Sequence, residues 1–271
     1  MPLSTDTQTL ETSKGLVDAL RGAQGDVSTL SKAPHFTLPS TPITVRFSSS
    51  TGIPSIPDTE PTANPRGLAI RFHLPSSDGK RRHTDIIAHS TRYFPTRTGA
   101  EFLEMLQALG SGGEAVPAFL GTHPETVRFL QDPKPSPASF ATEAYFGVNA
   151  FVFTNAEGKE TFVRYRVEPV AGLQTLSSDE LASKGSNYLF EELEPRLEKG
   201  AVVFKLMVQI AGEEDTTDDA TVLWPEEREV VELGEVRIEK TKAEEESLKE
   251  QKDVIFDPIP RWEAEKGGRR S

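Results

Sequence analysis

Between Thr44 and Ser48 the side chains alternate: Val45 and Phe47 fall on one side of an extended chain, Arg46 and Ser48 on the other. Leu68, Ile70 and Phe72 repeat that period, and Val202, Phe204, Leu206, Val208 and Ile210 repeat it again without a break. A period of two recurring along one chain demands half-buried strands, each with a packed face and a polar one. The second strand is entered through Asn64-Pro65-Arg66-Gly67, a corner that follows a Ser-, Pro- and Thr-rich loop over 49–65.

Further strands are expected at His83–Ser90 and Val230–Glu239. A hairpin is expected to join Ala150–Thr154 to Thr161–Val167 across Asn155-Ala156-Glu157-Gly158. Helical signals are fewer. Leu16 and Leu20 stand at i,i+4 behind a Thr12 or Ser13 cap, and Gly22 and Gly25 end that segment. Thr98 and Glu101 fit a capping box that opens a helix striped with Phe102, Met105, Leu106 and Leu109. One helical turn is expected near Thr126–Leu130. Residues 177–199 read as helices broken by Gly185 and Pro195, and Ala243–Lys252 as a charged helix. There is no internal repeat and no compositional boundary. The expectation is an N-terminal helix or arm over 1–30, then a single domain over 31–271. Its class is α+β, an antiparallel β-barrel with peripheral helices.

Composition narrows the partners. A net charge of −12 argues against a general nucleic-acid or anionic-membrane binder. The absence of cysteine removes disulfides and every thiolate ligand, and no residues are assigned to a free metal ion. Without a membrane-length apolar run or a leader, a cytoplasmic protein is expected, with a homo-oligomer left open.

Arg46 reads either as a barrel residue with its guanidinium in water or as a buried cation awaiting a carboxylate, which arginine grips in bidentate fashion. Ser48, on the same face, is either a free hydroxyl or a strand-end group bonded to its own backbone. His89 is either an acid–base imidazole or a histidine satisfied by solvent or core. The segments Val45-Arg46-Phe47-Ser48 and Asn64-Pro65-Arg66-Gly67 resemble the VRFS and DPRG signatures of the haem catalases and their smaller relatives, the catalase-related peroxidases. Leu30–Phe36, Asp85–Phe94, Tyr145–Arg166, Asp218–Thr221 with Trp224-Pro225, and Phe256–Pro260 follow in family order. The resemblance implies a catalase-like barrel and a haem. It sets Arg46 against a propionate, Ser48 beside the distal acid–base group, and Phe94 and Phe102 against the haem face. His89 then stands where the family has a pocket asparagine.

Two departures accompany it. The family's distal histidine lies on an R-x-x-H-A-K-G segment before a strand. No histidine precedes His35 here, so that segment and its strand read as deleted, leaving the barrel an edge to cover. The family's axial tyrosine follows the F-D-P crossing, whereas the tyrosines here are 93, 145, 165 and 188. The expected function is a catalase-related haem peroxidase acting on hydrogen peroxide, an organic peroxide or a small-molecule substrate, in impaired form. The alternatives are a haem-free or inactive catalase-fold protein that binds an apolar ligand or serves as an accessory protein, and a shortened form of an active enzyme.

Overall fold

The computed structural model describes residues 16–22, 27–49, 56–75, 82–251 and 254–257. Nine antiparallel strands dominate: β1 (Leu16–Gly22), β2 (Ser40–Ser49), β3 (Arg66–Leu74), β4 (Arg82–His89), β5 (Tyr145–Phe146), β6 (Phe151–Thr154), β7 (Glu160–Pro169), β8 (Val202–Ile210) and β9 (Val230–Thr241). They pair in the order β5-β4-β3-β2-β1-β9-β8-β7-β6, and a β5–β7 pairing joins the two ends. Eight strands thereby form a closed ring, with β6 attached outside it to β7. The barrel and its surrounding helices agree with the fold class expected from sequence.

The alternation explains the core. Ile43, Val45 and Phe47 lie opposite Phe72, Ile70 and Leu68, and the last two lie opposite Ile86 and Ala88. On the far side Val167 faces Leu206, and Phe204 faces Val236. All are buried. An eight-stranded barrel encloses a space that side chains just fill. Phe140 stacks on Phe47 at 5.0 Å and meets Phe190 edge-on, linking the barrel to a helix whose Leu189, Leu193 and Leu197 are buried.

The helices are α1 (Pro34–Thr37), α2 (Gly99–Ser111), α3 (Ala115–Leu120), α4 (Pro124–Gln131), α5 (Ser178–Ala182), α6 (Tyr188–Lys199) and α7 (Glu244–Gln251). Among the described residues no helix is long and apolar enough to cross a membrane. The capping box at Thr98 and Glu101 forms as expected. Pro195 lies inside α6 and does not break it. None of α2 is buried, and Leu103, Leu106 and Leu109 are largely exposed, so the apolar stripe read from its sequence does not pack into the core.

The largest correction concerns the N-terminal segment. Leu16–Gly22 is a strand and not a helix, because a spacing of four residues satisfies period two as well as one helical turn. The ladders decide the matter: Leu16 pairs with Val45 and Asp18 with Ile43 on one side, and Leu20 with Val236 on the other. The strand expected to be deleted is therefore present and leaves no edge between β2 and β9. Directly before it the sequence reads Thr12-Ser13-Lys14-Gly15, the H-A-K-G form with threonine in place of histidine. Residues 12–15 lie outside the described residues.

Two titratable groups, the buried His35 and the half-buried Glu143, act on stability with opposite signs. His35 packs against Phe36 and Phe72, and its Nδ1 finds no partner. Burial pushes its pKa down to about 4. Between there and the ordinary value of about 6.5 the unfolded chain binds a proton that the folded chain refuses. Its contribution is therefore full above that window and is lost as pH falls, by roughly 3 kcal/mol at most. Burial raises Glu143 to about 7, against the pull of the Ala144 amide and Arg66. Its contribution is lost as pH rises from the ordinary carboxylate range toward 7. The two nearly cancel in the intact chain. Denaturant unfolding at pH 5 and pH 7 should show stability rising with pH in Glu143→Gln and falling in His35→Leu. Parallel slopes in the two variants would contradict both assignments.

Candidate functional site

The face of β2–β4 turned away from the core carries the polar partners of the alternation. Register places Ser48, Gly67 and His89 in one row across the three strands, Arg46, Ala69 and Ile87 in the next, and Thr44, Arg71 and Asp85 in the third. The middle strand thus contributes glycine and alanine between larger neighbours. Ser48 and His89 are separated by two strand spacings, roughly 10 Å, with Gly67 between them. They do not touch.

Arg46 is half-buried, and its guanidinium lies over the Phe256 ring, 4.8 Å from the centroid. It has no carboxylate partner among the described residues. Burial and then the charge of Arg71 lower its pKa. A cation kept partly out of water beside a second cation is an electrostatic vacancy that an anion would fill. Arg71 is already paired: its Nε and Nη2 donate to the two carboxylate oxygens of Asp85 at 2.8 and 2.7 Å. It also donates to the Ile255 carbonyl and lies 5.0 Å from the Phe256 ring, while Asp85 accepts the Asp257 amide at 2.7 Å. This ion pair fastens residues 255–257 across the face.

At the other end of the face His89 pairs with Phe146 of β5, and its ring lies 6.3 Å from Phe94. Phe94 in turn lies 5.1 Å from Phe102 on α2, and its amide is held by the Ala220 carbonyl at 2.9 Å. Burial lowers the His89 pKa, which keeps the imidazole neutral at neutral pH and able to accept a proton. No hydrogen bond fixes the Ser48 hydroxyl among the described residues.

Of the five sequence candidates, Arg46, Ser48 and His89 share one face by strand register, and Phe94 and Phe102 continue outward from His89 as successive rings. Sequence reasoning missed Arg71 and Phe256. Arg71 is legible as the polar residue two beyond Ala69 on the same strand face, whereas Phe256 enters the sequence reading only as the start of the segment Phe256–Pro260.

The donor set can be tested against a haem. An unpaired guanidinium, small residues on the middle strand and a run of aromatic rings suit a flat dianionic ring. The axial oxygen is another matter. Tyr145 and Tyr188 donate their hydroxyls to the Phe140 and Pro137 carbonyls, at 2.9 and 2.7 Å. Tyr165 packs in the core against Phe151 and Phe153, and Tyr93 is held between Phe129 and Arg128. The periphery fits, and among the described residues no phenol completes it.

The family model named Catalase matches residues 20–259. A catalase-related peroxidase of Mycolicibacterium paratuberculosis is 35% identical over 244 residues, covering 88% of this chain and 75% of that protein. One from Synechococcus elongatus is 31% identical over 222 residues, covering 78% and 63% respectively. Among solved structures a fungal catalase superposes with a TM-score of 0.76 at 20% identity over 90% of this chain, and a bacterial catalase with 0.71 at 26% over 84%. The chain spans 52% and 47% of those two catalases. The chain belongs to the catalase family, on the branch of the catalase-related peroxidases.

Proposed function

We propose that the chain is a haem-binding, peroxidase-type protein acting on hydrogen peroxide or an organic peroxide. The observation that carries this reading is the half-buried Arg46 guanidinium, which has no carboxylate partner among the described residues and lies over Phe256 on a face where the middle strand sets Gly67 and Ala69 beside Ser48 and Arg46. Arg46 would grip a propionate, a charge-assisted contact stronger than a neutral hydrogen bond. Phe94 and Phe102 would pack on the ring face and exclude water. His89, whose partial burial favours the neutral imidazole, would take a proton from peroxide, and Ser48 would hold a ligand oxygen by its hydroxyl. A bound haem would supply the redox iron for peroxide reduction. With threonine at position 12 the family's distal imidazole is missing, which removes a contribution of about 10² to 10⁴ in rate. The turnover proposed is accordingly slow.

A second reading, retention of the site as a binding face without turnover, is favoured by the placement of the four tyrosines. Haemin titration followed by visible absorption separates the two. Stoichiometric binding with a Soret band is expected, with affinity falling about tenfold or more in Arg46→Ala and the peroxidase rate falling in His89→Ala. A Soret band with no peroxide consumption would select the second reading. No band, or full affinity in Arg46→Ala, would refute the site.

A further inference from the structure

We propose that Glu101, His123 and Glu125 form a binding site for a divalent first-row transition ion, with zinc the best match to their donors. Glu101 and Glu125 come from two helices outside the barrel and His123 from the residue before the second; each is half-buried, and one ligand atom of each lies within 4.8 Å of the other two.

Two of the three ligands are held by groups outside the trio. Glu101 closes the capping box of α2: its Oε2 accepts the Arg97 amide at 2.8 Å and the Thr98 amide at 3.3 Å, which fixes the carboxylate and leaves Oε1 uncommitted. His123 precedes α4. Its Nδ1 lies 2.9 Å from the Phe119 carbonyl, which can only accept, and 3.0 Å from the Thr122 hydroxyl, which itself donates to that carbonyl at 3.0 Å. A hydrogen on Nδ1 suits both contacts and puts the lone pair on Nε2. The ring stacks on Phe119 at 3.9 Å and 10°, which holds its plane. A backbone carbonyl on the far nitrogen is how metal-binding histidines are commonly oriented. Glu125, in the first turn of α4, has no hydrogen bond or ion pair among the described residues.

Charge points the same way. Among the described residues neither carboxylate is ion-paired to a lysine or arginine, and the nearby Arg97 is turned to Asp218 and Asp219. A helix N-terminus accounts for each carboxylate singly but not for their convergence with an imidazole lone pair. Zinc takes histidine nitrogen and carboxylate oxygen at about 2.0–2.2 Å, which in a tetrahedron sets donors about 3.4 Å apart. Small rotamer changes close the trio to that distance and leave a fourth position for water. The nitrogen donor favours zinc and its neighbours over magnesium or calcium. An ion here would tie α2 to α4. It would thereby fix a helix that has no buried residue and that carries Phe102 beside Phe94. The site does not depend on haem being bound.

The test uses the full chain after chelation and dialysis, with zinc followed by calorimetry and elemental analysis and cobalt as a spectroscopic stand-in. One zinc per chain is expected, with visible cobalt bands and a higher melting temperature when zinc is added. His123→Ala and Glu125→Gln should each weaken binding by about tenfold or more and abolish the thermal shift. Both variants leave the capping box of α2 intact. The proposal is overturned if no stoichiometric zinc binds at micromolar concentration. Affinity equal to the parent's in both variants would also overturn it.

Discussion

Arg66→Met is expected to lose about 3–5 kcal/mol of folding stability, because it strips the partner from a buried carboxylate. Arg66 is fully buried. Its Nε donates to Asn64 Oδ1 at 2.9 Å, Nη1 to Ser49 Oγ and Asp58 Oδ1 at 3.0 Å, and Nη2 to the Asp58 carbonyl at 2.7 Å. The second oxygen of Asp58 accepts the Leu189 amide at 3.3 Å in the first turn of α6. One guanidinium therefore joins the entry of β3, the end of β2 and a helix. Urea unfolding measures the loss, and the double variant Arg66→Met/Asp58→Leu should recover part of it, since no lone charge then stays buried. A single variant as stable as the parent would show that this network contributes nothing to folding.

Arg71→Ala is the second large effect, also about 3–5 kcal/mol by the same reasoning, and it has a local signature. Asp85 would remain buried with only the Asp257 amide for a partner, and the tie from Arg71 to the Ile255 carbonyl would go. Amide exchange at Phe256 and Asp257 should accelerate more than exchange in β8. Arg71→Lys should rescue the charge but not the two-pronged geometry, and so fall between parent and alanine. Uniform acceleration over the whole barrel would instead mean that residues 255–257 are not held by this pair.

Most of the barrel was legible because its strands bury one face each, and β2, β3 and β8 write that burial plainly as alternation. β1 was misread because Leu16 and Leu20 satisfy both periods, and only its partners β2 and β9 discriminate. The exposed stripe of α2 shows the converse limit: Leu106 and Leu109 have helical spacing, but spacing does not say whether anything covers them. At the site, Arg46, Ser48 and His89 were legible from strand phase and family resemblance. Phe256 was not, because its position depends on an ion pair between two other strands, which no local pattern records.

The ring of strands is completed by two residues. Tyr145 pairs with Val167, and Phe146 pairs with both Arg166 and His89. The proposed proton acceptor therefore belongs to the shortest seam of the cylinder, where few backbone bonds resist parting. A parting of that seam would carry the imidazole with it, so a substitution that strengthens the β5 pairings would also steady the ring.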